Sequence, residues 1–249
     1  MITERKFAEQ FSGFWSQCLP FMTPQVVTAL NQKGAVIRDL HGAPMRLAQN
    51  TGDNTDNDLV AEVGFAVFAA ACSGGLTVEA VADNDMALGS LVEEASQRIR
   101  VLRETKENGS KGPFKNLYDA LFIATCLELH FSRSAGGREV MIHPPFRGCG
   151  LMNSCFGDIL QGTSLYEVKC VDRNLRGSDL RQVLTYCALN YQSHQYEINT
   201  VCVLNPRRGM SYKYDLEDLS LSLSGTNTFE LLHRIGDFLM NYETLHPSV

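Results

Sequence analysis

The sequence predicts an α/β protein in which a mixed sheet is flanked by helices and preceded by a mostly helical region. Two stretches, SCFGDIL (154–160) and SLYEVKCV (164–171), alternate with the period of two that marks a β-hairpin. Ser178 and Asp179 can cap a helix over about 180–191, and the apolar strand NTVCVLN (199–205) follows it. Hairpin, helix and strand in this order make an α/β arrangement with mixed pairing.

Taken in chain order, the first fifty residues alternate short apolar segments with Pro20, Pro24, Gly34, Gly42 and Pro44, which reads as one or two short helices and turns. The polar run NTGDNTDND (50–58) is a loop, and Asp56, Asn57 or Asp58 can cap the apolar helix that follows over 59–72. A calcium loop is the sharper reading, but the run lacks the distal glutamate of an EF-hand. TVEAVA (77–82) reads as a strand, and Ser90 with Glu93 forms a capping box that opens a charged helix to about 107. ENGSKGP (107–113) is the strongest breaker in the chain. It divides a mostly helical accessory region, 1–112, from an α/β core, 113–249. In that core a long apolar helix spans 114–131 and REVMIH (138–143) is a strand. After the hairpin, helix and strand already described come the turn PRRGM, the strand SYKYDL (211–216) and a last helix over about 227–242.

Composition narrows the function. At 249 residues, 44% apolar, 20% charged and a mean hydropathy of −0.12, the chain suits one large or two small globular domains. Its longest apolar stretches fall short of the roughly 20 residues a membrane helix needs, and MITERKFAEQ is too polar for a secretory signal. A cytoplasmic protein without membrane contact is expected. None of the eight cysteines forms a CxxC pair and several sit in apolar runs, as reduced structural thiols do. Residues 133–213 hold 10 Lys/Arg against 6 Asp/Glu, while the remainder holds 12 against 22, giving the net −6. Such a local basic excess fits either a polyanion groove or ordinary fluctuation. GxGxxG, GxxxxGK[ST], GxSxG and HExxH are missing, which closes the common routes to nucleotide cofactors, ATP-driven work, serine hydrolysis and zinc proteolysis.

Chemistry concentrates in the hairpin. Asp158 stands near the end of one strand, and Glu167 and Lys169, two residues apart, share one face of the next. A solvated surface ion pair is one reading of Glu167 and Lys169. Gln182 and Tyr186 fall at i and i+4 on one face of the following helix. The ordered set Gly157-Asp158, Glu167-Val168-Lys169 and Gln182-x-x-x-Tyr186 resembles the PD-(D/E)XK nuclease superfamily, and within it the RecB-type branch, over about residues 114–216.

That resemblance implies a restriction-endonuclease-like core and a metal-dependent nuclease acting on DNA, with RNA as the alternative polymer. Asp158, Glu167 and the Val168 carbonyl would offer hard oxygen ligands to Mg²⁺ or Mn²⁺. Lys169 would orient the attacking water and balance charge on the phosphorane oxygens, Gln182 would support the lysine and the substrate strand, and Tyr186 would pack or hydrogen-bond below it. Family members often add an acid from the helix before the hairpin, where Glu128 is the candidate ligand and His130 its rival. Arg173, Arg176, Arg181, Arg207 and Arg208 flank these elements and could bind phosphates. No cysteine follows Cys202, so the iron–sulphur cluster of some relatives is not implied, and Gly157 stands in place of the usual proline. A protein partner such as a motor or recognition subunit is expected, in defence, restriction, recombination or repair, and a homodimer would place two sites for two strands. The opposing reading is a nuclease-like fold kept only for binding nucleic acid or protein.

Overall fold

The computed structural model describes residues 1–47, 57–103, 116–134 and 139–245. Three short helices open it. They are α1 (Glu4–Gln10), α2 (Ser12–Cys18) and α3 (Pro24–Gln32). The hydroxyls of Thr3 and Thr23 cap α1 and α3, accepting from Lys6 N–H and Val26 N–H. Pro24 takes the first position of α3, where its missing N–H costs nothing. A two-residue strand, β1 (Ala35–Val36), then leads to a helical layer of α4 (Asn57–Gly74), α5 (Val78–Ala82), α6 (Asp85–Arg103) and α7 (Leu117–Ser134). Gly64 lets α4 and α7 pack closely, since a Cβ there would lie 2.7 Å from Ala120 O.

Two sequence expectations fail in this layer. Residues 77–82 are not a strand. Thr77 caps α5 by accepting from Ala80 N–H, the Glu128 carboxylate accepts from Val78 N–H at 2.9 Å, and Val78 and Val81 bury themselves at the helical spacing of three. The charged helix also starts a turn before Ser90. Asn84 accepts from Ala87 N–H as its cap, and Ser90 lies inside α6 with its hydroxyl donating to Glu94. Asp56 and the breaker at 107–113 lie outside the described residues.

The C-terminal half carries the sheet. Its elements are β2 (Val140–Ile142), β3 (Pro145–Phe146), β4 (Cys155–Phe156), β5 (Ile159–Gln161), β6 (Ser164–Val168), α8 (Gly177–Ser193), β7 (Thr200–Asn205), β8 (Met210–Asp215), α9 (Leu216–Ser224) and α10 (Thr228–Leu245). Six strands pair in the order β1-β8-β7-β6-β5-β2, and β3 and β4 form a separate ribbon. Every pair in the large sheet is antiparallel except β6 with β7, which α8 connects. The fold is therefore mixed α/β with helices on the sheet, as the hairpin and apolar strand predicted. α9 is an addition. The Asp215 carboxylate caps it by accepting from Glu217 and Asp218 N–H, and Gly225 ends it at φ +73°.

Alternation divides the core into two layers. Leu165, Val201, Val203 and Tyr212 pack beneath α8, α10 and α2, where Trp15 is fully buried and donates to Phe7 O. Tyr166, Cys202 and Leu204 face α4 and α7 with Val63, Phe68 and Ile123. Residues from both sides of the expected boundary share these layers, since β1 pairs with β8, α1 packs on α8 and α4 packs on α7. The eight cysteines are free thiols. Among the described residues no helix is long and apolar enough to cross a membrane.

Candidate active site

β6 is buried on both faces, as befits a central strand, so Glu167 is only 4% exposed. The surface-pair reading of Glu167 and Lys169 is overturned by that burial. Lys169 lies just past the strand, fixed by its N–H to Leu204 O at 2.7 Å. Its ammonium sits 2.8 Å from Glu167 Oε1 and donates to Gln182 Oε1 at 2.7 Å. Gln182 Nε2 then donates to the Tyr186 hydroxyl at 3.1 Å, one turn along α8, and Tyr186 stacks on Phe146. Asp158, between β4 and β5, reaches across to β6, where its Oδ2 accepts from Val168 N–H at 2.6 Å. Gly157 stands before it because a Cβ there would press to 2.9 Å from the Phe146 ring.

These residues border a cavity of about 490 Å³, the size of a small-ligand pocket. Asp158, Val168, Lys169 and Gln182 line it, with Glu167 behind the lysine. Opposite them α4 contributes Glu62 and Phe65, and α1 contributes Arg5 and Glu9. Arg98 of α6 holds Glu62 at 3.2 Å. His143, at φ +51°, also lines the cavity and packs its ring on Phe65.

Burial, then the neighbouring Glu167 charge, pushes the Asp158 carboxyl well above the usual range. Burial raises Glu167 as well, though the Lys169 ammonium pulls it back. For Lys169, burial opposes the charge but the carboxylates of Glu167, Asp179 and Asp158 outweigh it, so its pKa is raised. Two acids therefore share one cation in a low-dielectric site, and Glu167 Oε2 is buried with no partner. Among the described residues no group of three or more His, Cys, Asp or Glu side chains is arranged to hold a metal ion. Mg²⁺ does not require one, since it is commonly held through one or two carboxylates and keeps several waters. The oxygens of Asp158, the Val168 carbonyl and the orphaned Glu167 Oε2 fit such an open site.

The remaining candidates scatter. Arg173 lines the cavity but is clasped by Asp179 at 2.6 and 2.9 Å. Burial disfavours the Asp179 charge, yet Arg173 and the Arg176 N–H outweigh it and hold its pKa low. Asp179 thereby caps α8 through Arg176 N–H, and the Arg176 side chain is exposed. Arg181 turns onto the Trp15 ring at 6.0 Å, with Nη1 toward Ala8 O. Arg207 is buried between α4 and α7, 3.2 Å from Asn57 and 3.9 Å from Asp119, while Arg208 donates to Asn174. Glu128 caps α5 and is not among the residues lining the cavity. His130 lies in a second, smaller cavity against Tyr166. The acid brought to Asp158 by a neighbouring helix is Glu62, the single acid in the apolar run 59–72.

Compared with protein-family models, with curated proteins and with solved structures, the chain finds no match.

Proposed function

We propose that this protein is a metal-dependent nuclease that hydrolyses phosphodiester bonds in DNA. The observation that carries the reading is the meeting of Asp158 from the turn before β5, the Glu167–Lys169 pair at the end of β6 and Gln182 of α8, with Asp158, Lys169 and Gln182 lining one cavity and Gln182 holding the lysine amine. A divalent Mg²⁺ or Mn²⁺ bound by Asp158, Glu167 and the Val168 carbonyl would supply positive charge to the scissile phosphate and to its attacking water. Lys169 keeps its proton at neutral pH, because three carboxylates raise its pKa, so it acts as a fixed cation toward the phosphorane oxygens. Gln182 and Glu167 anchor its ammonium from two directions, which limits the rotamers a long side chain can sample. Glu62 lines the cavity with Asp158 as a further anionic group from the helical layer. Arg5 and Arg173 are the cavity's arginines and the natural contacts for flanking phosphates. Cytoplasmic action beside a motor or recognition subunit, in defence, restriction or repair, belongs to the same reading.

The test incubates wild type and Lys169→Ala with linear and circular DNA and with RNA, single- and double-stranded, in Mg²⁺, Mn²⁺ or EDTA. Cleavage of DNA that needs metal and is lost in the variant is the expected result. RNA as the preferred substrate would move the reading to the other polymer. Absence of cleavage together with no calorimetric uptake of Mn²⁺ by wild type would overturn it in favour of a binding fold.

A further inference from the structure

A second polar cavity lies at the other end of β6. At about 3.3 Å per residue, Ser164 stands roughly 16 Å from Lys169 along the strand. Strand register explains why its residues meet. Gln161 pairs with Ser164 across the hairpin, Tyr166 pairs with Cys202, Cys202 with Lys213, and Leu204 with Ser211, so all present the face beneath α7. His130 of α7 closes the cavity from above. Elsewhere this face is apolar, with Ile159 and Leu204 in the core. A polar patch in that layer is costly unless its groups are bonded. Gln161 is 4% exposed, lines the cavity, and its Nε2 has no hydrogen-bond partner.

The lining chemistry selects the ligand. Among the described residues no Asp or Glu lines this cavity, and Lys213 brings its one formal positive charge. Burial, then the nearby Lys213 charge, lowers the His130 pKa, and the same charge works against the burial that raises Cys202. The Gln161 amide, the hydroxyls of Ser164 and Ser211 and the Lys213 ammonium are all able to donate. A volume of about 100 Å³ holds about three waters or one tetrahedral oxyanion, and it excludes a nucleoside. We infer that this cavity is a binding site for a small oxyanion, either free phosphate or the terminal phosphoryl group of a larger molecule. Lys213 supplies the charge, and Gln161, Ser164 and Ser211 the fixed donors. This inference is independent of the nuclease reading.

The test titrates the full-length protein with inorganic phosphate, then with glycerol phosphate, by calorimetry and by the ring proton signals of His130 in NMR spectra. Phosphate is expected to move the His130 signals and to bind about tenfold or more weakly to Lys213→Met, the usual loss for one hydrogen bond to a charged group. Gln161→Met should weaken it in the same direction, and Lys169→Met should leave it unchanged. Tighter binding of glycerol phosphate would identify a terminal phosphoryl group as the ligand; tighter inorganic phosphate would identify the free ion. Static His130 signals, equal affinity in wild type and Lys213→Met, or loss of binding in Lys169→Met alone would each overturn the inference. Lys213 is exposed on β8, so its replacement should fold, and a matching circular dichroism spectrum confirms that.

Discussion

At the C-terminal end of β6, Glu167, Lys169, Gln182 and Tyr186 form a chain of contacts of 2.7 to 3.1 Å, whereas at its N-terminal end Gln161 keeps an amide with no partner. Both ends are buried, so both incur desolvation. They meet it differently. The first end gathers opposite charges and lets each offset the other, which leaves an excess of acid over base, and burial together with the Glu167 charge raises Asp158. The second gathers neutral donors around one exposed cation and leaves the acceptor side unfilled. A site short of positive charge invites a cation, and a site short of acceptors invites an anion.

The largest effect should come from unbalancing the first end. Lys169→Met leaves Glu167 buried without its ion, which costs about 3 kcal/mol of unfolding free energy in urea melts. Cleavage should fall by about 10²–10³-fold with it, as for loss of one group that stabilises developing charge. Adding Glu167→Met removes the orphaned charge as well. Most of the stability should return while cleavage stays lost. A double variant as unstable as the single one would show that the pair does not act as a unit.

The second end is tested through His130. Burial, with Lys213 nearby, holds its pKa down at about 4. The unfolded chain takes up this proton near pH 6.5, while the native state waits until about 4. The native state therefore loses stability as pH falls between those values, by at most about 3 kcal/mol, and keeps it above them. His130→Phe should flatten that part of the profile in denaturation midpoints measured from pH 7 to 4. An unchanged slope would mean that His130 is protonated in the native state at ordinary values.

Much of this architecture is legible in the sequence because it rests on local signals. The alternation of SLYEVKCV placed β6 and the apolar run TVCVLN placed β7, while Ser178 and Asp179, expected to cap a helix from about 180, lie inside the first turn of α8, where Asp179 accepts from the Arg176 N–H. What stayed hidden depends on tertiary contact. TVEAVA alternates well enough for a strand, and it becomes helix because Thr77 and the distant Glu128 satisfy its first N–H groups. Asp215, two further acids and Gly225 spell out α9, yet the strand pattern of SYKYDL runs into them and masks the boundary. The arginines show the same limit. A basic excess over 133–213 is visible, but only the packing decides that Arg207 is buried between two helices, Arg181 lies on Trp15 and Arg173 faces the cavity.

The smallest predicted effects separate two glutamates that the sequence presents alike. Glu62 in the run 59–72 and Glu128 in the run 120–131 are each the single acid of an apolar segment, so the argument that an acid in such a helix needs a partner applies to both. Their partners differ. Glu128 accepts from Val78 N–H and starts α5, whereas Glu62 pairs with Arg98 and lines the cavity with Asp158. Glu128→Leu should therefore lower stability by about 1 kcal/mol, the usual worth of a cap, and leave the rate of cleavage within twofold or so. Glu62→Gln should do the reverse, shifting the melting midpoint little while slowing metal-dependent cleavage about tenfold through a weaker response to Mg²⁺. Rates of cleavage against Mg²⁺ concentration, with melts of both variants, decide between them. Equal behaviour of the two would mean that helix position, and not the cavity, sets what an acid in this layer does.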